Sequence, residues 1–419
     1  MTPFSRIAQT ALVCAGILAW TYPLHAEETA LGFEEAAHLA ATAQDPALEH
    51  FDARAESLEE RAIADSALPD PTVRTGLANF PVDTLRDVQE PMTQYQVALR
   101  QEFLPGDTLA LRGRERHAEA AIERQKKELL LRRIVFDVRR AWLDLYHAEK
   151  SRRIIKANLS ALQNLASAQT GAFASGGSSS QNIFRADLEI ALMKDRLSAL
   201  AQHGKNAAAE LARYIGAHAN RPPVGELPLL NEPRAPAALK EALSAHPAID
   251  VERAAEEREE VRIGLAKEAY KPSWSVDAGY GYRAGGRADF ASVGLTFSVP
   301  LFAQGRQDRR LSAAMKERQA ARLNRQSLLK DLERELDIAL ADWHELGRRL
   351  QLYEQAVTRR AHDAAQASLG SYADGRADFP EIIRDRLAVL DAELTYLDLQ
   401  VDRAKTWAKL SYLAGDTHE

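Results

Sequence analysis

The chain has 419 residues and a formal net charge of −6; 27% of its residues are charged and only 7% aromatic. It carries no basic footprint for nucleic acid. Its abundance of Ala, Leu, Glu and Arg suits long helices better than a compact enzyme core. At the N-terminus, Arg6 precedes a mostly apolar run from Ala8 to Trp20, and Leu24-His25-Ala26 offers a small residue for cleavage. Residues 1–26 are therefore expected to be a secretory signal peptide. The single cysteine, Cys14, lies within it, so the mature chain is expected to hold no disulfide and no cysteine-linked lipid. No later segment reaches the length of a transmembrane helix, so a membrane-spanning part has to be β-structure.

In chain order, residues 33–66 carry Ala and Glu in helical rhythm, interrupted at Asp45-Pro46 and ended by Leu68-Pro69-Asp70-Pro71. Two strands are predicted over about 72–104. There Tyr95, Val97, Leu99 and Phe103 alternate with Gln94, Gln96, Arg100 and Glu102, while the partner strand near 72–80 alternates less cleanly. From about Thr108 to Thr170 runs a long helix, in which Ile134, Val138, Ala141, Leu145 and Ala148 recur at spacings of four and three. That alternation is the seam of a coiled coil, because 3.5 residues per turn keeps one stripe facing a partner. A Gly/Ser turn and a returning helix to about 215 complete this hairpin. Residues 217–234, with Arg221-Pro222-Pro223 and Glu232-Pro233, read as a linker.

The order then repeats. Helices are expected over 235–270, strands over 273–303, a long helix over 306–369, a turn over 370–380 and a returning helix over 381–414. Leu329, Leu332, Leu336, Ala339, Trp343, Leu346, Leu350, Tyr353 and Val357 keep the seam without interruption in the second long helix; Leu390, Leu394, Leu397, Val401, Ala404 and Ala408 keep it in the returning one. Asp45-Pro46 is matched by His246-Pro247, and Trp142 by Trp343, both 201 positions on. Phe173…Gly176 is matched by Tyr372…Gly375 at 199. Collinear matches at nearly constant offset indicate a duplicated unit. The first repeat is assigned to 27–216 and the second to 235–419, with residues 27–32 and 415–419 expected to be loosely held.

The second strand pair alternates most cleanly. Trp274, Val276, Ala278, Tyr280 and Tyr282 oppose Ser275, Asp277, Gly279 and Gly281; Val293, Leu295, Phe297, Val299 and Leu301 oppose Ser292, Gly294, Thr296 and Ser298. Strands of about ten residues with one apolar and one polar face suit a barrel between lipid and water. Tyr95, Val97, Leu99, Trp274, Val276, Tyr280, Tyr282, Val293, Leu295, Phe297 and Val299 are the expected lipid-facing residues, with Trp274, Tyr280 and Tyr282 in an aromatic girdle. Four strands cannot close a barrel, and an open edge in lipid costs several kcal/mol per unpaired backbone group. Three chains would supply twelve.

The duplicated order, together with Leu68-Pro69-Asp70-Pro71, Ala269-Tyr270-Lys271-Pro272 and Val293-Gly294-Leu295-Thr296-Phe297-Ser298-Val299-Pro300-Leu301-Phe302, resembles the TolC-type outer-membrane efflux channels. Asn79-Phe80-Pro81 and Gln101-Glu102-Phe103-Leu104-Pro105-Gly106 are most similar to the heavy-metal, CzcC-like branch. The resemblance implies a mainly α fold with a membrane β-barrel portion: a homotrimer with a twelve-stranded barrel in the outer membrane of a Gram-negative bacterium and a helical periplasmic tunnel. It further implies a periplasmic adaptor and an inner-membrane pump of the resistance-nodulation-division class as partners, with metal cations as cargo; drug efflux and type I secretion are the alternatives within the family. A soluble periplasmic coiled-coil adaptor is the rival from another class, but such a protein has one hairpin where this chain predicts two.

By the same resemblance, Phe173, Gly176, Gly177, Tyr372 and Gly375 at the two turns are the expected adaptor contacts, and Asp374 and Asp378 the acidic constriction of the tunnel mouth. Glycine at a helix end also has a purely conformational use, and turn aspartates are usually solvated. No catalytic, cofactor or metal residues are assigned. His344-Glu345-Leu346-Gly347-Arg348 lacks the second histidine of a zinc helix.

Overall fold

The computed structural model describes residues 30–177 and 179–415. The predicted signal peptide, and with it Cys14, lies outside the described residues. So does most of the C-terminal stretch expected to be loose.

The first repeat opens with α1 (Phe33–Thr42) and α2 (Pro46–Ser66). The break between them is built by Asp45, whose side chain accepts a hydrogen bond from the Ala47 amide at 2.9 Å while Pro46 occupies the first helical position. Strands β1 (Thr72–Ala78) and β2 (Gln94–Phe103) follow. Then come α3 (Thr108–Ala174), an unbroken helix of 67 residues, and the returning α4 (Ser180–Ile215). At 1.5 Å per residue α3 is about 100 Å long. A 3₁₀ turn at Gly216–Asn220 leads into the connecting segment.

The second repeat has α5 (Pro236–Ala242), a short 3₁₀ turn, α6 (Pro247–Glu268), β3 (Ser273–Tyr282), β4 (Phe290–Ser298), α7 (Gln307–Leu352), α8 (Thr358–Ala373) and α9 (Phe379–Ala414). Here α7 and α8 are separated by a π-helical turn at Tyr353–Val357. The predicted long helix over 306–369 thus keeps its helical course, with one π turn where the hydrogen bonding changes. Heptad spacing does not reveal one inserted residue, because the apolar stripe resumes beyond it.

Three expectations need correction. β4 ends at Ser298, so Val299 and Leu301 continue the alternation in sequence but lie beyond the strand. Pro300, which has no amide to donate, follows directly. The segment before α1 is not loose where it is described: Leu31 is fully buried, its amide donates to the Pro222 carbonyl at 2.8 Å and its carbonyl accepts from Val224. Finally, β1 alternates as well as the other strands, with Val73, Thr75 and Leu77 on one face.

The largest core gathers residues of both repeats around Trp142, with Phe33, Val138, Leu211, Leu336, Trp343, Val401 and Trp407. Two tryptophans of this core, 201 positions apart, each donate an indole hydrogen bond. The Trp142 indole donates to the Leu31 carbonyl at 2.9 Å, and the Trp343 indole donates to the Glu232 carboxylate at 3.2 Å. Each ring thus ties down the segment leading into its own repeat. A second core farther along the hairpins joins Ile155, Leu162, Met193, Phe379, Ile382 and Leu390.

Helix packing gives an ordered wall. On the sheet side of the main core, α2 packs on α3, α3 on α6 and α6 on α7; toward the tips, α4 packs on α3, α3 on α9, and α9 on α7 and α8. The four strands form one antiparallel sheet in the order β1-β2-β3-β4. Wall and sheet therefore share two open lateral edges: β1, α2 and α4 on one side, β4, α7 and α8 on the other.

Candidate functional site

Register divides the sheet cleanly into two faces. Leu99 pairs with Val73 and Ala278, and Ala278 pairs with Val293; Tyr95 pairs with Tyr282, and Phe103 with Trp274. One face thus carries every residue expected to meet lipid except Val299. Val293 is 79% exposed, and Val97, Leu295 and Phe297 are more than half exposed, so this single-layer sheet buries almost none of its apolar face against the chain's own helices. Gln101 and Thr75 are polar residues on this face, and the Gln101 side chain donates to the Pro69 carbonyl at 2.9 Å.

Aromatic rings mark both ends of this face. Phe103 stacks on Trp274 with ring centroids 4.0 Å apart, and Tyr95 lies 6.3 Å from Tyr282 at the other end. Trp274 and Tyr282 are eight residues apart, about 27 Å at 3.4 Å per residue, close to the height of the apolar band of an outer-membrane barrel. The opposite face carries Gln96, Arg100, Asp277, Ser292 and Thr296, and Arg100 bridges Asp277 at 3.2 Å and Ser275 at 3.1 Å.

The sheet end nearest the helices is fixed by a polar clasp. Glu268 accepts the Asp107 amide at 2.9 Å and binds Lys271 at 2.7 Å. Gly106, at φ +50°, lies so close to the Glu268 carboxylate that a Cβ would overlap it. Glycine is required here by the left-handed backbone, and a Cβ would displace the side-chain ends of Glu268 and Lys271. Sequence alone did not show this close approach.

The hairpin tips are two copies of one device. After α3, the Gly176 amide donates to the Phe173 carbonyl at 2.9 Å and the Gly177 amide to Ala172 at 2.8 Å, with Gly176 at φ 81°. After α8, Gly375 donates to Tyr372 at 3.0 Å and Arg376 to Ser371 at 2.8 Å, with Gly375 at φ 72°. Both are Schellman caps, which satisfy the last helical carbonyls through a left-handed glycine. Their side chains differ. Phe173 is about half exposed, whereas Tyr372 packs on Phe379 and its hydroxyl accepts from the buried Gln169. The Gln169–Tyr372 bond joins one tip to the other. Asp374 is exposed and paired with Arg376; Asp378, also exposed, is the N-cap residue of α9, and its side chain makes no capping bond.

Three features escaped the sequence reading. Phe184, Leu188 and Leu192 form an exposed stripe along α4, at a spacing of four that follows helical rhythm but belongs to neither seam. Arg403 lies 4.1 Å over the Trp343 ring and reaches Glu232, beside a cleft of about 620 Å³ between the connecting segment and α7 and α9. His246, matching Asp45, caps α6 by accepting the Ala248 amide at 3.1 Å. Burial holds this imidazole down to a pKa of about 4, with the nearby Arg132 charge acting in the same direction. Among the described residues no group of three His, Cys, Asp or Glu is arranged to hold a metal ion, and no helix is long and apolar enough to cross a membrane.

The model of the outer membrane efflux protein family matches residues 238–416. No curated protein matches the sequence. Among solved structures, CusC is 16% identical, with 92% of each chain covered and a TM-score of 0.75. A membrane protein from Pseudomonas aeruginosa is 17% identical over 91% of this chain and 90% of its own, with a TM-score of 0.78. The Campylobacter jejuni CmeC outer membrane channel is 15% identical over 99% of this chain and 94% of its own, with a TM-score of 0.75. At such identities the likeness is one of fold. The family match covers residues 238–416, and the chain as a whole shares the fold of these solved structures.

Proposed function

We propose that three copies of this chain close into a twelve-stranded barrel in the outer membrane of a Gram-negative bacterium, continued by a helical tunnel into the periplasm. The assembly is the passive exit duct of a tripartite efflux system. The carrying observation is the pair of open lateral edges. Among the described residues β1 and β4 both end the sheet unpaired, and an unpaired edge in lipid is costly, so each β4 meets the β1 of the next copy. A heterologous contact of this kind closes into a ring. The apolar sheet face, with Tyr95, Val97, Leu99, Trp274, Val276, Tyr280, Tyr282, Val293, Leu295 and Phe297, turns to lipid, and the polar face lines the lumen.

The tips around Phe173, Gly176, Gly177, Tyr372 and Gly375 dock a periplasmic adaptor, which links the duct to an inner-membrane pump of the resistance-nodulation-division class. The exposed Phe173 is the stronger anchor of the two aromatics, since Tyr372 is already engaged by Gln169 and Phe379. A ring of Asp374 and Asp378 favours cations by its field. Arg376 offsets Asp374, which leaves Asp378 the more effective of the pair. The cargo we assign is heavy-metal cations, on the CzcC-like stretches around Asn79-Phe80-Pro81 and Gln101 to Gly106. Such ions pass hydrated, because the described residues offer no ligand cluster.

Cell fractionation followed by electrophoresis with and without heating tests the duct. Recovery in the outer membrane as a heat-dissociated trimer is the expected result; recovery as a soluble periplasmic monomer rejects it. Metal-salt sensitivity of a deletion strain tests the cargo. A strain that loses resistance to drugs but not to metals overturns the metal assignment and leaves the duct intact.

A further inference from the structure

The two open edges of the wall carry opposite charge next to the sheet. In α2, six carboxylates stand against two arginines. In the first half of α7, residues 307–330, seven Lys and Arg stand against two carboxylates. Much of this charge is used inside the chain: Asp52 binds Lys127, Glu59 binds Arg124, Asp65 binds Arg116, Arg318 binds Glu260 and Arg325 binds Glu256. Those pairs fix the inward faces, α2 against α3 and α7 against α6.

The outward faces are what remains. On α2, Leu48, Ala55, Leu58 and Ala62 are buried, and the far side of the helix presents Glu49, Ala53, Glu56 and Glu60, all exposed. On α7, the side away from Arg318 and Arg325 presents Arg309, Lys316, Leu323 and Lys330 at an unbroken spacing of seven, interleaved with Ser312, Ala313, Ala320 and Ser327. Small residues on both stripes permit close helix approach.

The heights also agree. The C-terminal end of α2 and the N-terminal end of α7 each lie one short connection from the same sheet end, where Thr72 begins β1 and Ser298 finishes β4. The helices run in opposite directions from that level. Glu60 and Glu56 lie about 9 and 15 Å below Ser66, and Lys316 lies about 14 Å below Gln307, at 1.5 Å per residue.

We infer that the acidic outer face of α2 docks on the basic outer face of α7 in a second copy of this chain, and that this charge ladder sets the direction and register in which copies join. The inference rests on the ring reading above. Complementary potentials select partners and orientation more than they add affinity. On a wall whose two edges otherwise present similar helical surfaces, opposite charge makes the α2-to-α7 contact attractive and the α2-to-α2 and α7-to-α7 contacts repulsive.

The test is a charge-swap series on the full chain in detergent, read by native mass spectrometry across a dilution series. Glu56→Lys with Glu60→Lys, and separately Arg309→Glu with Lys316→Glu, are expected to weaken trimers by on the order of tenfold in protein concentration at low salt. Combining all four substitutions is expected to restore wild-type assembly. A second reading, independent of affinity, is a Glu60→Cys, Ala313→Cys chain, in which oxidation is expected to link different copies. Trimers unaffected by either reversal, or not rescued by the combination, with no disulfide between copies, would overturn the ladder while leaving the ring in place. A wild-type chain that is monomeric throughout would reject the ring itself.

Discussion

The belt around Trp142 and the four-stranded sheet are held in place by opposite means. In the belt, residues of both repeats bury one another: Trp142, Leu143, Leu211 and Leu336 are sealed from solvent, and the Trp142 and Trp343 indoles donate to a backbone carbonyl and a carboxylate respectively. The belt is complete within one chain. The sheet leaves its apolar residues exposed on one face, its polar ones on the other, and two strand edges unpaired. Its ladder is formed, but its surroundings are not part of this chain. Burial alone accounts for the first region; in the proposed ring, lipid covers the apolar face of the second and further copies pair its edges.

Substitutions should separate the regions accordingly. Trp142→Ala removes a fully buried indole and its bond to Leu31, and is expected to cost about 3–5 kcal/mol in the unfolding of the helical part, followed by circular dichroism. Val293→Arg, midway along the exposed apolar face, is expected to leave that unfolding unchanged but to oppose barrel insertion by about 2–4 kcal/mol, read as lost outer-membrane trimer. Should Val293→Arg lower helical stability as much as Trp142→Ala, the sheet is packed on the chain's own core and the contrast fails.

Acid sharpens the contrast between the two repeats within the belt. His246 is held below its ordinary value of 6.5, at about 4, by burial and by Arg132 and Lys409, with Glu335 acting the other way. Below pH 6.5 the unfolded chain takes up a proton that the folded one refuses. The second repeat is thus expected to lose stability as pH falls from about 6.5 toward 4. In the first repeat the bound Arg213 lowers the Asp45 carboxyl below its ordinary value of 3.8, so its contribution is lost only in stronger acid. His246→Asn retains a capping group without the titration, and is expected to flatten the stability profile between pH 6.5 and 4. Asp45→Ala is expected to cost about 1 kcal/mol at neutral pH through its lost cap.

The smallest effect is expected at a tip. Gly375→Ala forces a side chain into the left-handed region, for about 1 kcal/mol confined to the last turn of α8. Hydrogen exchange at that turn should quicken while the belt stays protected.

Much of this organisation was legible in the sequence, for identifiable reasons. Trp142 and Trp343, Asp45-Pro46 and His246-Pro247, and the two glycine turns repeat because both halves solve the same capping and packing problems, and their offsets show it. The buried seams at Ile134 to Ala148 and Leu332 to Trp343 follow from spacing alone. What sequence could not provide was pairing across the chain: α3 against α9, Gln169 on Tyr372, or Leu31 under the Trp142 indole. Nor does periodicity show where hydrogen bonding changes while apolar rhythm continues, as at the π turn of Tyr353–Val357 and the end of β4 at Ser298. The asymmetry of the tips was hidden because Phe173 and Tyr372 are alike in kind and differ only in what they touch.

The central claim is that β1 and β4, the two open edges, pair between copies. Single cysteines in β1 at Thr75 and, in turn, at each outward position of β4, placed together in one chain and oxidised in outer-membrane vesicles, test it most directly. The account predicts covalent dimers and trimers for one register and its immediate neighbours, with the polar face still open to conduct ions. Cross-links absent at every β4 position, in a protein that is nonetheless folded and membrane-bound, would contradict it.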